Sequence, residues 1–191
     1  MGFLDSILGG SKKLKGAAPD RLFAMTTAYV TMETGLDMKH TGSAGIVFQP
    51  LGTADFDQIL SDAQELLTGM AEETESKIRS ADDEFGYRWL ILADDDFDDI
   101  VVSLNTLSTE LQAGGYGDRL LCAVFSFEQK GKRVHLIYNY KRGAFYPFVP
   151  GPGDKQRDTE AELRVKAQLD KEGIPWEAEM ARWFPLWEIP L

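Results

Sequence analysis

Between Leu120 and Lys141, two runs of strand-forming residues flank a Lys130-Gly131 turn. A two-residue turn fixes the register of both strands, because a slip by one residue would send every side chain to the opposite face. It pairs Gln129 with Lys132, Ser126 with His135 and Cys122 with Asn139. One face then collects Leu121, Ala123, Phe125 and Phe127 opposite Tyr140, Tyr138, Leu136 and Val134. The other collects Leu120, Cys122, Val124 and Ser126 opposite Lys141, Asn139, Ile137 and His135. An apolar face backed by a mixed one predicts an antiparallel sheet with helices packed on one side.

The remaining elements are read from periodicity. Phe56, Ile59, Leu60, Ala63, Leu66, Leu67 and Met70 recur at helical spacing, with Thr53 or Asp55 placed to cap them. Phe97, Ile100, Val101, Leu104, Leu107 and Leu111 predict a second helix, closed by Gly114-Gly115. Strands are expected at residues 28–33, 44–49, 76–80 and 87–93, after a short helix at 20–24. Pro147 cannot donate to a ladder, so the strand after the hairpin is short or lies at an edge. The pattern Thr159–Glu162 reads as a capping box opening a last helix that runs to about Lys171. The result is an α+β fold ordered ββαββαββα, with about six mainly antiparallel strands and helices on one face. The two leading ββα units suggest a degenerate duplication.

Composition narrows the function. The chain has 191 residues, 43% hydrophobic, and a net charge of −11. That size and apolar content fit one globular core, and the acidic balance argues against nucleic acid as a partner. The single cysteine, Cys122, excludes an internal disulfide and fits a reducing compartment. No apolar run approaches the roughly 20 residues needed to span a bilayer. In MGFLDSILGGSKKLKG the apolar residues precede the positive charges, the reverse of a secretory signal. A cytoplasmic protein is expected.

Residues 1–16 stand apart from the domain expected over 17–191. They carry +2, from three lysines against Asp5, while the remainder carries −13. Phe3, Leu4, Ile7 and Leu8 form one apolar stripe, and Lys12, Lys13 and Lys15 follow. This is the pattern of a small amphipathic anchor on an anionic membrane surface, or of a helix docked on its own domain. Met1-Gly2…Ser6 also fits a myristoylation pattern, which requires a eukaryotic transferase.

No residue set spells out a reaction. Residues 94–99 (DDDFDD) begin like a calcium loop, but Asp99 stands where glycine is needed and Asn105 where glutamate is needed. Carboxylates capping a helix N-terminus account for them. Glu65, Glu72 and Glu73 read as solvated helix faces. Cys122 and His135 share a hairpin face but stand four residues apart, roughly 13 Å, too far for a nucleophilic dyad. His40 stands alone in an expected loop, so no zinc set forms. Gly114-Gly115-Tyr116-Gly117 follows a helix rather than opening one and cannot cradle phosphate. Catalytic, cofactor-binding and metal-binding residues are therefore expected to be absent.

The stretch YNYKRGAFYPFVPGPG, residues 138–153, sets two cations among aromatics in an acidic chain. Tyr138 and Tyr140 fall on the core face. Phe145, Tyr146 and Phe148 cannot all point the same way in an extended segment, so one is expected near the surface beside Lys141 and Arg142, unless the Trp-rich 176–191 run covers it. Aromatics with arginine anchor interfaces, making these five residues candidates for a partner contact.

The start MGFLDSILG, the segments DEFGYRWLI and GYGDRLLCAVFSF, the 138–153 stretch and the run RWFPLWEIPL together resemble the PspA-associated protein PspAB family of the bacterial phage-shock membrane-stress system. The resemblance implies no catalytic residues for this sequence. It implies company with PspA, a peripheral membrane-remodelling protein, sometimes with an HtpX-type membrane protease, at the inner face of the cell membrane. The leading expectation is a non-enzymatic accessory or adaptor protein acting by protein contact. The alternatives are a secretion-chaperone-like client-binding module, for which a homodimer is expected, and an enzyme using carboxylates around residues 82–84 or 94–99.

Overall fold

The computed structural model describes residues 19–74 and 76–191. A 3-10 turn at Pro19–Phe23 leads into α1 (Ala24–Leu36), β1 (Met38–Phe48), α2 (Ala54–Thr74), β2 (Lys77–Asp82), β3 (Arg88–Ala93) and α3 (Phe97–Ala113). Then come β4 (Leu120–Gln129), β5 (Lys132–Asn139), β6 (Ala144–Phe148) and α4 (Thr159–Leu169). The six strands form one antiparallel sheet in the order β2-β3-β1-β4-β5-β6. β1 sits at its centre and β6 at one edge, where Pro147 is tolerated.

The hairpin has the expected register, from Gln129 opposite Lys132 to Cys122 opposite Asn139. One departure concerns its base. Against β1, Val47 pairs with Cys122 and Phe48 with Leu120, so Leu121 is an extra residue in the ladder. Such a bulge reverses the alternation beyond it. Leu120 therefore joins the helical-side core and Leu121 the opposite face.

The expected strand at 28–33 is helical. Met25, Ala28 and Met32 are buried at helical spacing, while Val30, which a strand would place beside Ala28 and Met32, is 64% exposed. One strand, not two, therefore precedes α2, and the suggested duplication is absent from the topology. The six-strand count is completed by β6. His40, expected in a loop, lies in β1.

The other helices follow their capping chemistry. The Thr53 hydroxyl accepts from the Phe56 N–H at 3.3 Å, opening α2. Asp96 caps α3 by accepting from the Asp98 N–H at 2.8 Å. Gly115, at φ 86, lets the chain turn so that the Tyr116 N–H reaches the Leu111 carbonyl at 2.8 Å. At α4 the cap is Asp158 rather than Thr159, accepting from the Ala161 N–H at 3.0 Å. That shift frees Glu162 to turn inward.

One sheet face packs against all four helices through Ile46, Phe48, Leu90, Leu92, Phe125, Phe127, Leu136 and Phe145. The other face, expected to be mixed and open, is also buried. Val47, Trp89, Ile91, Cys122, Val124, Ile137, Tyr146 and Phe148 lie under Trp183, Leu186 and the flanking Phe184, Trp187, Ile189 and Leu191. An extended strap, residues 183–191, thus replaces a second helical layer. The segment leading into it runs beside β6, where the Phe145 N–H donates to the Pro175 carbonyl at 2.7 Å and the Glu177 N–H to the Phe145 carbonyl at 2.8 Å. The strap reaches Leu191 against Gly45 in β1, and Arg79 of β2 donates to the Pro190 carbonyl. Burying a side chain such as Leu186 contributes roughly 1.5–3 kcal/mol.

Candidate functional site

The turn joining β5 to β6 is tied down on every side. The Arg142 and Gly143 N–H groups both donate to the Asn139 carbonyl, at 3.2 and 2.8 Å. Gly143 takes φ 64, and its carbonyl accepts from Arg21 Nη1 at 2.7 Å. Arg142 Nε donates to the nearly buried Glu177 carboxylate at 2.9 Å. Lys141 is half-buried; desolvation pushes its ammonium pKa down, and Asp118 partly opposes this.

Phe145, Tyr146 and Phe148 are all buried, so of the two alternatives it is cover by the Trp-rich 176–191 run, not a surface aromatic, that the structure shows. They do point to opposite sides, but both sides are covered: Phe145 by the helical core, Tyr146 and Phe148 by the strap. Of the five candidate contact residues, only Lys141 and Arg142 approach the surface. Phe3, Leu4, Ile7, Leu8, Lys12, Lys13 and Lys15 lie outside the described residues.

Several other sequence candidates are held in local hydrogen bonds. Asp94 Oδ1 accepts from the Asp96 N–H at 2.7 Å, and its Oδ2 accepts from the Ser76 hydroxyl, so the acidic run closes a β3–α3 connection. Partial desolvation and the neighbouring Asp96, Asp94 and Asp98 raise the Asp99 pKa. Among the described residues no three His, Cys, Asp or Glu side chains are grouped to hold a metal ion. The His40 Nδ1 accepts from the Gly42 N–H at 3.1 Å, so Nε2 carries the proton that meets the Asp95 carbonyl at 3.0 Å. His135 bonds Ser126 at 2.8 Å, as its register requires, and Cys122 is a buried free thiol. Burial pushes that thiol up to about 12, leaving it un-ionised at neutral pH.

A cleft of about 300 Å³ opens between the β2–β3 turn and the strap. Ala81, Asp82, Asp83, Glu84, Phe85 and Trp89 line one side; Lys155, Leu186, Trp187, Glu188 and Pro190 line the other. Asp83 builds the turn by accepting from the Phe85 and Tyr87 N–H groups, both at 2.9 Å, and from the Trp89 indole at 3.3 Å. Gly86, at φ 82, completes the reversal and leaves Phe85 half exposed at its tip. Arg88 grips Asp82 at 2.7 and 3.0 Å, lowering the Asp82 pKa, so this carboxylate is held ionised and is a poor proton donor. Glu188 and Lys155, on the strap side, both take left-handed backbone, at φ 58 and 48.

Sequence reasoning singled out Asp82–Glu84 and the Trp-rich run separately. It missed their juxtaposition, because nothing in either segment announces that 186–190 crosses to β2. The signal present was composition: each segment sets acids beside aromatics, as DDEFG and LWE. Among the described residues no helix is long and apolar enough to cross a membrane.

A family model described as PspAB, PspA associated protein B, matches residues 1–191, the whole chain, and the chain belongs to that family. No curated protein and no solved structure matches it.

Proposed function

We propose that this member of the PspA associated protein B family is an accessory protein of a PspA-type membrane-stress response, acting by protein contact rather than by chemistry of its own. The observation that supports this reading is the family match over the full length of the chain. The geometry is compatible with it: Asp83 is held in a turn, Asp96 in a helix cap and His135 against Ser126. In this reading the protein works in the cytoplasm, residues 1–16 bring it to the inner membrane face, and Lys141 and Arg142 contribute to the contact surface.

Affinity purification of the tagged full-length chain from its native host tests the proposal. Enrichment of a PspA-type protein, reproduced with the two purified proteins, is the expected result. Failure of both experiments to show PspA overturns it. Flotation with anionic vesicles, comparing residues 1–191 with 17–191, tests the membrane component separately; equal, negligible binding removes it.

A second reading is favoured by the strap. The back face of the sheet already holds an extended segment of its own chain, which is what a client-binding module does for a client. That reading requires capture of an unfolded client together with a stable homodimer in light scattering.

A further inference from the structure

We infer that the cleft between the β2–β3 turn and the strap receives a lysine or arginine side chain from an extended segment of a protein partner. This rests on the protein-contact reading above and gives that contact a place and a chemistry. Three observations carry it.

The first is the wall. Phe85, the partly buried Trp187 and the largely buried Trp89 line one cleft. Aromatic faces attract cations through their quadrupole, and tryptophan does so best. Phe85 is 50% exposed at the tip of a tight turn, where it adds nothing to either core cluster.

The second is the rim. Asp82, Asp83, Glu84 and Glu188 oppose a single ammonium, that of Lys155. Asp82 is answered by Arg88, and Asp83 by its turn and the Trp89 indole. Glu84 and Glu188 form no ion pair among the described residues, so two carboxylates at the mouth remain for an incoming cation. The acidic run at 94–99 offers no comparable aromatic wall.

The third is size. About 300 Å³ lies at the small end of ligand sites and suits one long side chain with part of its backbone. Arginine fits the combination well, because its guanidinium stacks on an aromatic face and still donates to carboxylates at its edge.

The test uses the full-length chain and two probes, acetyl-Gly-Arg-Gly-amide and its neutral citrulline counterpart. Nitrogen-15 NMR follows the indole N–H signals of Trp89, Trp176, Trp183 and Trp187. The arginine peptide is expected to move the Trp89 and Trp187 signals saturably and to leave Trp176 and Trp183 in place, and citrulline to move none. The double variant Glu84→Gln/Glu188→Gln is expected to weaken the response roughly ten-fold, a loss of two exposed charges that no fold element uses. Glu65→Gln/Glu110→Gln controls for net charge and is expected to respond like the parent. Movement of all four signals, an equal loss in the control, or no response at millimolar peptide overturns the proposal. The same variants then separate it from the broader reading. Loss of PspA from the parent chain counts against protein contact as such. Retention of PspA by parent and Glu84→Gln/Glu188→Gln alike counts against the cleft alone.

Discussion

Arg157 wraps the fully buried carboxylate of Glu162, with Nε at 3.0 and 3.1 Å and Nη2 at 2.6 Å, and turns Nη1 to the Trp183 carbonyl at 2.7 Å. Glu162 also accepts from the Val149 N–H at 3.1 Å. One ion pair thus joins α4, the exit of β6 and the start of the strap. Breaking a buried pair from one side leaves an uncompensated charge, so Arg157→Met is expected to cost about 3–5 kcal/mol in urea denaturation. Arg157→Met/Glu162→Met is expected to cost less than that single change. A double variant as damaging as the single one would show that the loss is packing and not charge.

His135 supplies a pH dependence. Burial, reinforced by Arg133, pushes its imidazole from the ordinary 6.5 down to about 4. The unfolded chain then binds a proton that the folded chain refuses, so stability rises with pH across that window. Its contribution is complete above pH 6.5 and is lost progressively as pH falls to about 4, a span of roughly 3 kcal/mol. His135→Gln is expected to flatten the stability profile between pH 4 and 6.5. An unchanged slope would assign it to other groups.

Cys122 reports on the strap. It is the only cysteine, it is buried under residues 183–191, and its thiol is raised to about 12. Beyond Phe184 the strap backbone is held to the described residues by one hydrogen bond, from Arg79 to Pro190. Slow labelling by a thiol reagent is expected for the full chain. Labelling should accelerate at least roughly ten-fold when Leu186→Ala/Trp187→Ala loosens the cover, an opening shift of about 1.4 kcal/mol or more. Equal rates would mean that Cys122 is reached by another route.

Gly143 is fixed chiefly by its backbone, with the movable end of Arg21 close by. An added Cβ would lie 2.6 Å from Arg21 Nη1, at a residue whose φ is 64. Gly143→Ala is expected to lower stability by about 1–3 kcal/mol, measured by thermal or urea unfolding. Gly131→Asn is the comparison. No other atom stands near a Cβ there, and asparagine tolerates the left-handed turn, so a change within about 0.5 kcal/mol is expected.

What could be read in the sequence was local. Phe97 to Leu111 declares its helix by period, and Lys130-Gly131 fixes its hairpin by turn length, because both signals lie within a few residues. Residues 28–33 misled because Ala28, Val30 and Met32 alternate like a strand, while Met25, Ala28 and Met32 also share a helical face; packing chose the second pattern. The bulge at Leu121 depends on β1, which no feature of the hairpin reveals. The cleft escaped for the same reason: Trp89 and Trp187 meet only because the strap crosses the sheet, and no short-range rule ties a tryptophan in β3 to one in an extended segment.

The place of β1 has a kinetic consequence. The β2–β3 hairpin and the β4–β5–β6 meander each close through short turns, but β1, first in the chain, must enter between them and pair with strands that begin at Arg88 and Leu120. Joining them requires two long loops to close before their contacts can repay the lost entropy. The topology therefore predicts that the two local ladders gain protection before β1 does, an order that pulsed hydrogen exchange during refolding would check.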